Sequence, residues 1–396
     1  MDYKNYLNTS AYFMKPSGIR KFFDLAAKME GVISLGVGEP DFKTDWSIRN
    51  AAIHSVQKGI TQYTANAGLL SLRREISDYL NSRYNVSYLP EKEILVTVGA
   101  SEGIDLSLRA LINPGDEILI PEPSYVSYAP CVVLSGGVPV SVDCKFEEEF
   151  KLNPKVLESK ITDKTKALIL PYPNNPTGSI MTKSELEAVA KVVIKHDLIV
   201  VSDEIYSELT YGEERHVSIA SLEGMWERTI LLNGFSKSFA MTGWRVGYVC
   251  APTEILKTIL KIHQYCIMCA PTMSQYAALE ALKAGKEDDY SVVSSMLNEY
   301  DMRRKYLYTF FNEIGMDVFE PKGAFYIFPS TKSLGLTGEQ FAEKLLEKQK
   351  VAVVPGSAFG KSGEYNVRIS YAYSMQSLIV ACEKIREFIL KEQWKE

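Results

Sequence analysis

The chain has 396 residues, of which 46% are hydrophobic and 23% charged, and its formal net charge is -5. This composition is typical of a globular protein with a large core, and the length predicts about two or three domains. The mild acidity gives no support for nucleic-acid or anionic-membrane binding. No apolar run reaches the ~18–20 residues of a membrane span, and the N-terminus lacks the apolar region of a signal peptide.

The cysteines do not form a recognisable framework of disulfides, because six of them are scattered through a long chain. Cys266 and Cys269 form a C-x-x-C pair without a second pair. The surrounding sequence, KTILKIHQYCIMCA, instead predicts that both cysteines lie on a packed helix face. We therefore expect no metal site and a location in a reducing cytoplasm.

The predicted elements begin with a helix in GIRKFFDLAAKME (18–30), within an N-terminal region that could act as an arm or join a C-terminal domain. Short apolar runs, each followed by turn residues, then predict strands in EILVTV (93–98), DEILI (116–120), VPVSV (138–142), KALIL (166–170), LIVVS (198–202) and TILL (229–232). Helical patterns between them include ASEGIDLSLRALIN (100–113) and KSELEAVAKVVIKHD (183–197). Such alternation predicts an α/β fold with a largely parallel sheet covered by helices on both faces.

The pattern of predicted helices and strands changes after about Pro271. Charged helical patterns at 273–290 and 294–315 precede short strands in GAFYIFP (323–329), VAVVPG (351–356) and YNVRISYA (365–372), and a last helix at 374–392. This part predicts a smaller α+β domain. We divide the chain into an N-terminal arm with part of the small domain (1–45), a large domain (46–285) and a small domain (286–396).

Polar side chains follow the ends of several predicted strands. Asn175, Asp203 and Lys237 each follow one, and so do Tyr125 and the segment GASEG (99–103). Each has an ordinary explanation alone, such as a helix cap, a turn or packing. Because parallel sheets bind ligands beyond the carboxyl ends of their strands, we expect these groups to converge on one site.

Two interpretations of GASEG remain open from the residues themselves. It matches the G-x-S-x-G nucleophile elbow of serine hydrolases, with Ser101 as nucleophile and His196, His216 and His263 later in the chain. Alternatively, its small residues expose N–H groups at a helix start to an anion. The segments starting at Gly36 and Pro355 fail as dinucleotide and P-loop motifs because a required glycine is missing from each.

Lys237 suggests the second interpretation, because a lysine in such a crevice has a lowered pKa and can condense with an aldehyde as a Schiff base. The aldehyde cofactor is pyridoxal phosphate, and the converging residues offer a partner to each of its groups. The phosphate would bind to Ala100, Ser101, Ser236 and Arg245; the pyridine nitrogen to Asp203; the phenolic oxygen to Tyr206 and Asn175; and the ring to Tyr125.

Over nearly its full length the sequence resembles the class I/II aminotransferases of fold type I, which use pyridoxal phosphate. The resemblance rests on SLGVGEPDF (34–42), YTANAGLLSLR (63–73), VTVGASEG (96–103), PEPSYVSY (121–128), PNNPTG (173–178), SDEIY (202–206), GFSKSFAMTGWRVGY (234–248), KGAFYIFP (322–329) and VPGSAFG…VRISYA (354–372). It implies a large domain with a mostly parallel sheet of the seven-stranded type. Stretches such as SGIRKFFDLA (17–26) and GMWERTI (224–230) are most similar to archaeal aromatic amino acid aminotransferases.

The resemblance also implies roles for individual residues. Lys237 would be the Schiff-base lysine and proton shuttle, with Asp203 and Tyr206 as its catalytic partners. Arg368, with Asn175 and a backbone contact from Gly38, would bind the substrate α-carboxylate. Tyr63 would reach the cofactor phosphate of a neighbouring subunit, which makes the enzyme a homodimer with shared sites.

The expected activity is ping-pong transfer of an amino group from an L-amino acid, preferably aromatic, to 2-oxoglutarate. Aspartate or alanine as donor, and a pyridoxal-phosphate-dependent carbon–sulfur lyase, are the alternatives. Related bacterial aspartate aminotransferases often carry a lysine where this chain has Ser101, which weakens the aspartate alternative. Tyr125 stands where many relatives have tryptophan or phenylalanine and keeps an aromatic face.

Overall fold

The computed structural model describes residues 1, 3–16, 18 and 29–393. Its α-helices are α1 Thr9–Phe13, α2 Trp46–Gln57, α3 Leu70–Tyr84, α4 Gly99–Leu111, α5 Tyr128–Leu134, α6 Pro154–Ser159, α7 Lys183–Lys195, α8 Thr253–Cys266, α9 Thr272–Glu287, α10 Ser291–Glu313, α11 Gly338–Gln349 and α12 Met375–Gln393. The helix predicted at 18–30 falls mostly outside the described residues.

The strands are β1 Ile33–Ser34, β2 Ile94–Thr97, β3 Glu117–Glu122, β4 Val138–Asp143, β5 Thr165–Leu170, β6 Ile199–Asp203, β7 Thr229–Gly234, β8 Gly247–Cys250, β9 Tyr326–Ile327, β10 Val351–Ala352, β11 Val354–Pro355 and β12 Val367–Ser370. Seven of them form one sheet in the order β2-β8-β7-β6-β5-β3-β4. Strand β8 is antiparallel to both of its neighbours, and every other pairing is parallel. The predicted α/β fold with a mostly parallel sheet is confirmed.

Helices cover both faces of this sheet, because its strands are apolar on both sides. Alternate residues of β2 show the division: Leu95 joins the core beneath α4 and α8, whereas Ile94 and Val96 join the core beneath α3 and α9. Helix α7 begins with a capping box, in which Thr182 and Glu185 are hydrogen-bonded to each other's backbone. The six strands other than β8 point the same way, so their carboxyl ends meet at one edge.

Two small sheets are formed mainly by strands from the C-terminal part of the chain. Strands β11, β12 and β9 form an antiparallel sheet, and β1 pairs in parallel with β10. An aromatic core that includes Tyr300, Phe325 and Phe388 lies between these strands and helices α10, α11 and α12. The β1–β10 pairing joins residues 33–34 to residues 351–352. The domain boundaries proposed from the sequence stay a prediction.

The interpretation of the cysteine pair was wrong. Helix α8 ends at Cys266, whose side chain is exposed, and Cys269 lies beyond the helix. The apolar side of α8 is instead formed by Leu256, Ile259 and His263. Among the described residues there is no cluster of three potential metal ligands, and none of their helices is both long and apolar enough to cross a membrane.

Candidate active site

A cavity of about 500 Å³ lies at the carboxyl edge of the large sheet, where it meets β9, β12 and the loop at residues 36–39. The ends of β2, β3, β5, β6 and β7 all contribute to its wall. The predicted site residues that line it are Gly38, Ala100, Ser101, Tyr125, Asn175, Asp203, Tyr206, Ser236, Lys237, Arg245 and Arg368. The structure therefore brings together every predicted site residue except Tyr63.

Lys237 follows β7 and extends its amine into this cavity. Its Nζ donates a hydrogen bond to the carbonyl oxygen of Gly38 at 2.7 Å. The same nitrogen lies 5.8 Å from the ring centroid of Tyr206 and 5.6 Å from that of Phe325. The amine is thus enclosed by aromatic faces and backbone, and no carboxylate within the described residues forms an ion pair with it.

This environment lowers the pKa of Lys237 to about 8. Burial is the largest cause, because a charged ammonium loses hydration in the interior. The guanidinium groups of Arg368 and Arg245 lower the pKa further, whereas the carboxylates of Glu39 and Asp203 oppose them. The neutral, nucleophilic fraction of this amine near neutral pH is therefore far larger than that of an ordinary lysine, although most of the amine still carries a proton.

Asp203, the last residue of β6, presents a buried carboxylate to the same cavity. Its Oδ2 accepts a hydrogen bond of 2.7 Å from the hydroxyl of Tyr128, and its Oδ1 accepts a longer one of 3.3 Å from the N–H of Ile205. Burial raises the pKa of Asp203, and the hydrogen bond from Tyr128 counteracts part of this rise. A cation placed at the free side of Asp203 would be strongly bound.

The start of α4 and the loop after Lys237 form a cradle for an anion. Gly99 has a φ of 73°, and a Cβ there would lie 2.6 Å from Nη2 of Arg245. Arg245 itself is left-handed, with a φ of 50°, and its Nη1 donates to the carbonyl of Thr242 at 2.9 Å. Together with the hydroxyl groups of Ser101 and Ser236, the guanidinium and the helix N-terminus suit a phosphate.

Arg368 places a second guanidinium on the opposite wall, from β12. Its Nη1 donates to Oδ1 of Asn175 at 2.8 Å, and its Nη2 donates to the carbonyl of Gly36 at 2.5 Å. The guanidinium lies 4.5 Å from the ring centroid of Tyr326 and 4.8 Å from that of Phe359. Its Nε is buried without a hydrogen-bond partner, and no carboxylate of the described residues pairs with it. The carboxylate of an incoming ligand would provide both the missing hydrogen-bond acceptor and a negative charge.

Aromatic side chains complete the walls. The hydroxyl groups of Tyr206 and Tyr326 are hydrogen-bonded to each other at 2.8 Å. The ring of Tyr125 meets that of Tyr128 edge to face, with centroids 5.6 Å apart. A Cβ on Gly38 would overlap the hydroxyl of Tyr326, which explains the glycine at this position.

Tyr63 lies outside the cavity, with 79% of its surface exposed in the single chain. Its loop is nevertheless firmly held, because the carbonyl of Gln62 accepts a hydrogen bond of 2.7 Å from Thr272 and Thr64 accepts one of 3.1 Å from Gln275. Its contact with a neighbouring subunit stays a prediction.

The catalytic triad required by the hydrolase interpretation is absent from the described residues. None of the four histidines lines the cavity that contains Ser101. His196, His216 and His263 hydrogen-bond instead to Glu158, Glu204 and Glu102, each at 2.8–2.9 Å. Without a base beside Ser101, the anion-binding interpretation of GASEG is the one consistent with the geometry.

Sequence reasoning missed Tyr128, Tyr326, Glu39 and Thr242, which also line the cavity. All four lie within quoted motifs, namely PEPSYVSY, KGAFYIFP, SLGVGEPDF and GFSKSFAMTGWRVGY, so the sequence shows their positions but not their contacts. Thr242 hydrogen-bonds to Glu39 and thereby ties the loop after Lys237 to the loop at residues 36–39. Long-range contacts of this kind leave no local signal.

Comparison with known proteins gives a consistent result. The family model described as aminotransferase class I and II matches residues 30–385. An aspartate aminotransferase of Pyrococcus abyssi is 49% identical over 380 residues, covering 96% of this chain and 97% of that protein. The aromatic-amino-acid aminotransferase 2 of Thermococcus litoralis is 45% identical over 380 residues, with the same coverage.

Among solved structures, the crystal structure of the aromatic aminotransferase from Pyrococcus horikoshii OT3 matches with a TM-score of 0.90 and 48% identity. The match covers 95% of this chain and 99% of that one. Relatives named for aspartate and for aromatic amino acids are thus about equally similar to this chain.

Proposed function

We propose substrates and residue roles for this chain because it belongs to the aminotransferase class I and II family and is therefore an aminotransferase. It transfers the amino group of an L-amino acid, preferably an aromatic one, to 2-oxoglutarate by a ping-pong mechanism. The observation that carries the proposal is that Lys237 lines one cavity with the buried carboxylate of Asp203 and the buried guanidinium of Arg368, which forms no ion pair with a carboxylate of the described residues.

The residues present fit pyridoxal phosphate, the cofactor of this family. The anion cradle of Ala100, Ser101, Ser236 and Arg245 would hold its phosphate, and Asp203 would hold its pyridine nitrogen. Tyr206 and Asn175 would donate to its phenolic oxygen, and Tyr125 would pack on its ring. When bound, the cofactor supplies the electron sink that stabilises negative charge at the Cα of the amino acid.

The chain's own groups would perform three tasks. Arg368 binds the α-carboxylate of the donor in bidentate fashion, assisted by Asn175 and by the backbone at Gly38. Lys237 Nζ removes the proton from the donor Cα, a task for which its lowered pKa suits it. Enclosure by the rings of Tyr206 and Phe325 keeps water away from the amine during proton transfer.

The preference for an aromatic donor follows from the charges of the cavity. The cationic side chains among its described lining residues are Lys237, Arg245 and Arg368, and each already has a proposed task. The distal carboxylate of aspartate would find no further cation among these residues, and the acidic side chain of Glu39 also lines the cavity. An aromatic ring would instead meet Val37, Ile104 and the tyrosine side chains.

The proposal includes a homodimer in which Tyr63 contributes to the partner's site. Its support is the exposed aromatic ring of Tyr63 on a hydrogen-bonded loop, since exposed aromatic side chains are typical of protein–protein interfaces. A reducing cytoplasm fits the six free cysteines of the chain.

Spectroscopy and a donor panel test this proposal. Purified protein reconstituted with pyridoxal phosphate should be yellow, and the visible band should bleach when a good donor is added. Lys237→Ala should lose turnover, whereas Ser101→Ala should only weaken it. Colourless protein that cannot be reconstituted would refute the cofactor assignment, and loss of activity in Ser101→Ala alone would favour a hydrolase.

The panel consists of tyrosine, phenylalanine, aspartate, alanine and cystathionine, each with 2-oxoglutarate. We expect kcat/KM for tyrosine and phenylalanine to exceed that for aspartate by about tenfold or more, the scale of one unsatisfied charged contact. A higher kcat/KM for aspartate would overturn the donor preference. Pyruvate release from cystathionine without an acceptor would identify a lyase.

A further inference from the structure

Tyr128 is buried and contacts two groups of the proposed cofactor site. It is the first residue of α5, its side chain is 3% exposed, and its hydroxyl donates to Oδ2 of Asp203 at 2.7 Å. Its ring packs edge to face against Tyr125, with an interplanar angle of 81°. One side chain thus supports both the predicted ring-stacking residue and the predicted partner of the pyridine nitrogen.

The hydrogen bond affects both the orientation and the charge of Asp203. A phenol donating to Oδ2 fixes the rotation of the carboxylate and leaves Oδ1 with only the long contact from the Ile205 N–H. Donation also favours the ionised carboxylate, which burial and the nearby Glu204 disfavour. Lys237 is the cation that acts in the same direction as Tyr128.

We propose that Tyr128 is a positioning residue that holds the ionised carboxylate of Asp203 in place for its contact with the pyridine nitrogen. The inference rests on the proposed function, because it requires Asp203 to hold that nitrogen. It assigns Tyr128 no contact with the substrate. Its influence on turnover passes through Asp203, and a second, smaller influence passes through the packing of Tyr125.

A double-mutant cycle on the cofactor affinity tests the proposal. Tyr128→Phe removes the hydroxyl and keeps the ring, so we expect the Kd of the apoprotein for pyridoxal phosphate to rise about 10-fold, the typical effect of losing a hydrogen bond to a charged group. In an Asp203→Ala background the same substitution should change the Kd less than about twofold, because its partner is gone. Absorbance titration of the apoprotein measures both.

Steady-state kinetics provides a second measurement. In Tyr128→Phe we expect kcat for the best donor to fall about 10–100-fold while KM changes less than about threefold, since donor contacts are untouched. Tyr128→His, which keeps an aromatic N–H donor, should recover part of the loss in both kcat and Kd. Tyr172→Phe is the matched control: its buried hydroxyl bonds to the carbonyl of Phe150 and does not line the cavity.

The results for Tyr128→Phe either support or overturn the proposed role of Tyr128. Wild-type-like Kd and kcat in Tyr128→Phe would overturn the proposal, and so would an equal effect in the Asp203→Ala background, which would indicate a general packing defect. Circular dichroism and thermal unfolding show whether the variants fold. If Tyr128→Phe does not fold, the Kd and kcat of Tyr128→His compared with those of the wild type still test the proposal. Failure of wild-type protein to bind pyridoxal phosphate would refute the proposed function instead.

Discussion

At the scale of the residue, Lys237 is unfavourable to keep in the interior in its charged form. Its pKa of about 8 in the folded chain compares with an ordinary value of 10.5. Below pH 8 both folded and unfolded chains carry the proton, and the folded state bears the full cost of a poorly hydrated ammonium. Between pH 8 and 10.5 only the unfolded chain binds the proton, so this cost declines as the pH rises.

The first prediction concerns that cost. Lys237→Met apoprotein should be more stable than wild-type apoprotein at pH 6–7, by at most about 3 kcal/mol, the equivalent of the pKa difference. The gain should shrink as the pH is raised from 8 towards 10.5. Thermal unfolding of both proteins across this range measures the difference, with Lys283→Met, a substitution at an exposed lysine, as control. A gain that does not depend on pH would contradict the shift.

The second prediction concerns Arg368. Arg368→Lys keeps a positive charge but loses the planar fork that binds a carboxylate bidentately and the contacts to Asn175 and Gly36. We expect KM for the donor to rise about 10–100-fold, with a smaller fall in kcat. Initial rates over a range of donor concentrations measure this, and Arg386→Lys at the exposed pair with Glu313 is the control. An unchanged KM would remove Arg368 from carboxylate binding.

At the scale of the element, the start of α4 requires glycine for two reasons. Gly99 is left-handed, and a Cβ would press against the guanidinium of Arg245. Helix α4 can therefore present its N–H groups and still let Arg245 approach the same anion.

The third prediction follows from this approach. Gly99→Ala should raise the Kd for pyridoxal phosphate at least about tenfold by displacing Arg245, besides a backbone strain of about 1–2 kcal/mol. Gly115→Ala is a matched control, because Gly115 has a φ of 90° and a Cβ added there would have no atom within 4 Å. It should lose stability without losing cofactor affinity. Equal affinities in the two variants would show that the contact with Arg245 is unimportant.

The strands show how far sequence patterns reach at this scale. The six predicted strands of the large sheet are present because each is a largely apolar run that ends at turn residues. Strand β8 was not predicted, because GYVC is short and directly continues the motif around Lys237. Its antiparallel direction depends on pairing with β2 and β7, which lie far from one another in the chain.

At the scale of the whole molecule, Tyr63 bears on the assembly. It is largely exposed, and the carbonyl of Met268 accepts a hydrogen bond of 2.9 Å from Asn66 of the same loop. Because these hydrogen bonds hold the loop against the rest of the chain, a partner subunit would bind to a surface that is already formed.

The fourth prediction uses mixed dimers. Lys237→Ala should be inactive and Tyr63→Ala should be nearly inactive at limiting pyridoxal phosphate. Dissociating and reassociating equal amounts of the two should restore about one quarter of all sites, because half of the dimers are mixed and each mixed dimer has one intact site. Activity after reassociation measures this. No recovery, when size-exclusion chromatography and mass spectrometry confirm mixed dimers, would show that sites are not shared.

Six of the seven strands of the large sheet, several of the helices and the chemical groups that follow the strand ends are predictable from the sequence. Periodicity, turn residues and caps are local properties, so Asp203, Ser236 and Lys237 were predictable as one edge of a sheet. The contacts between these groups become visible in the tertiary structure alone. Arg368 hydrogen-bonds to Asn175, 193 residues away, and Tyr128 hydrogen-bonds to Asp203, 75 residues away. Such contacts depend on how distant elements pack, and packing leaves no periodic trace in either segment alone.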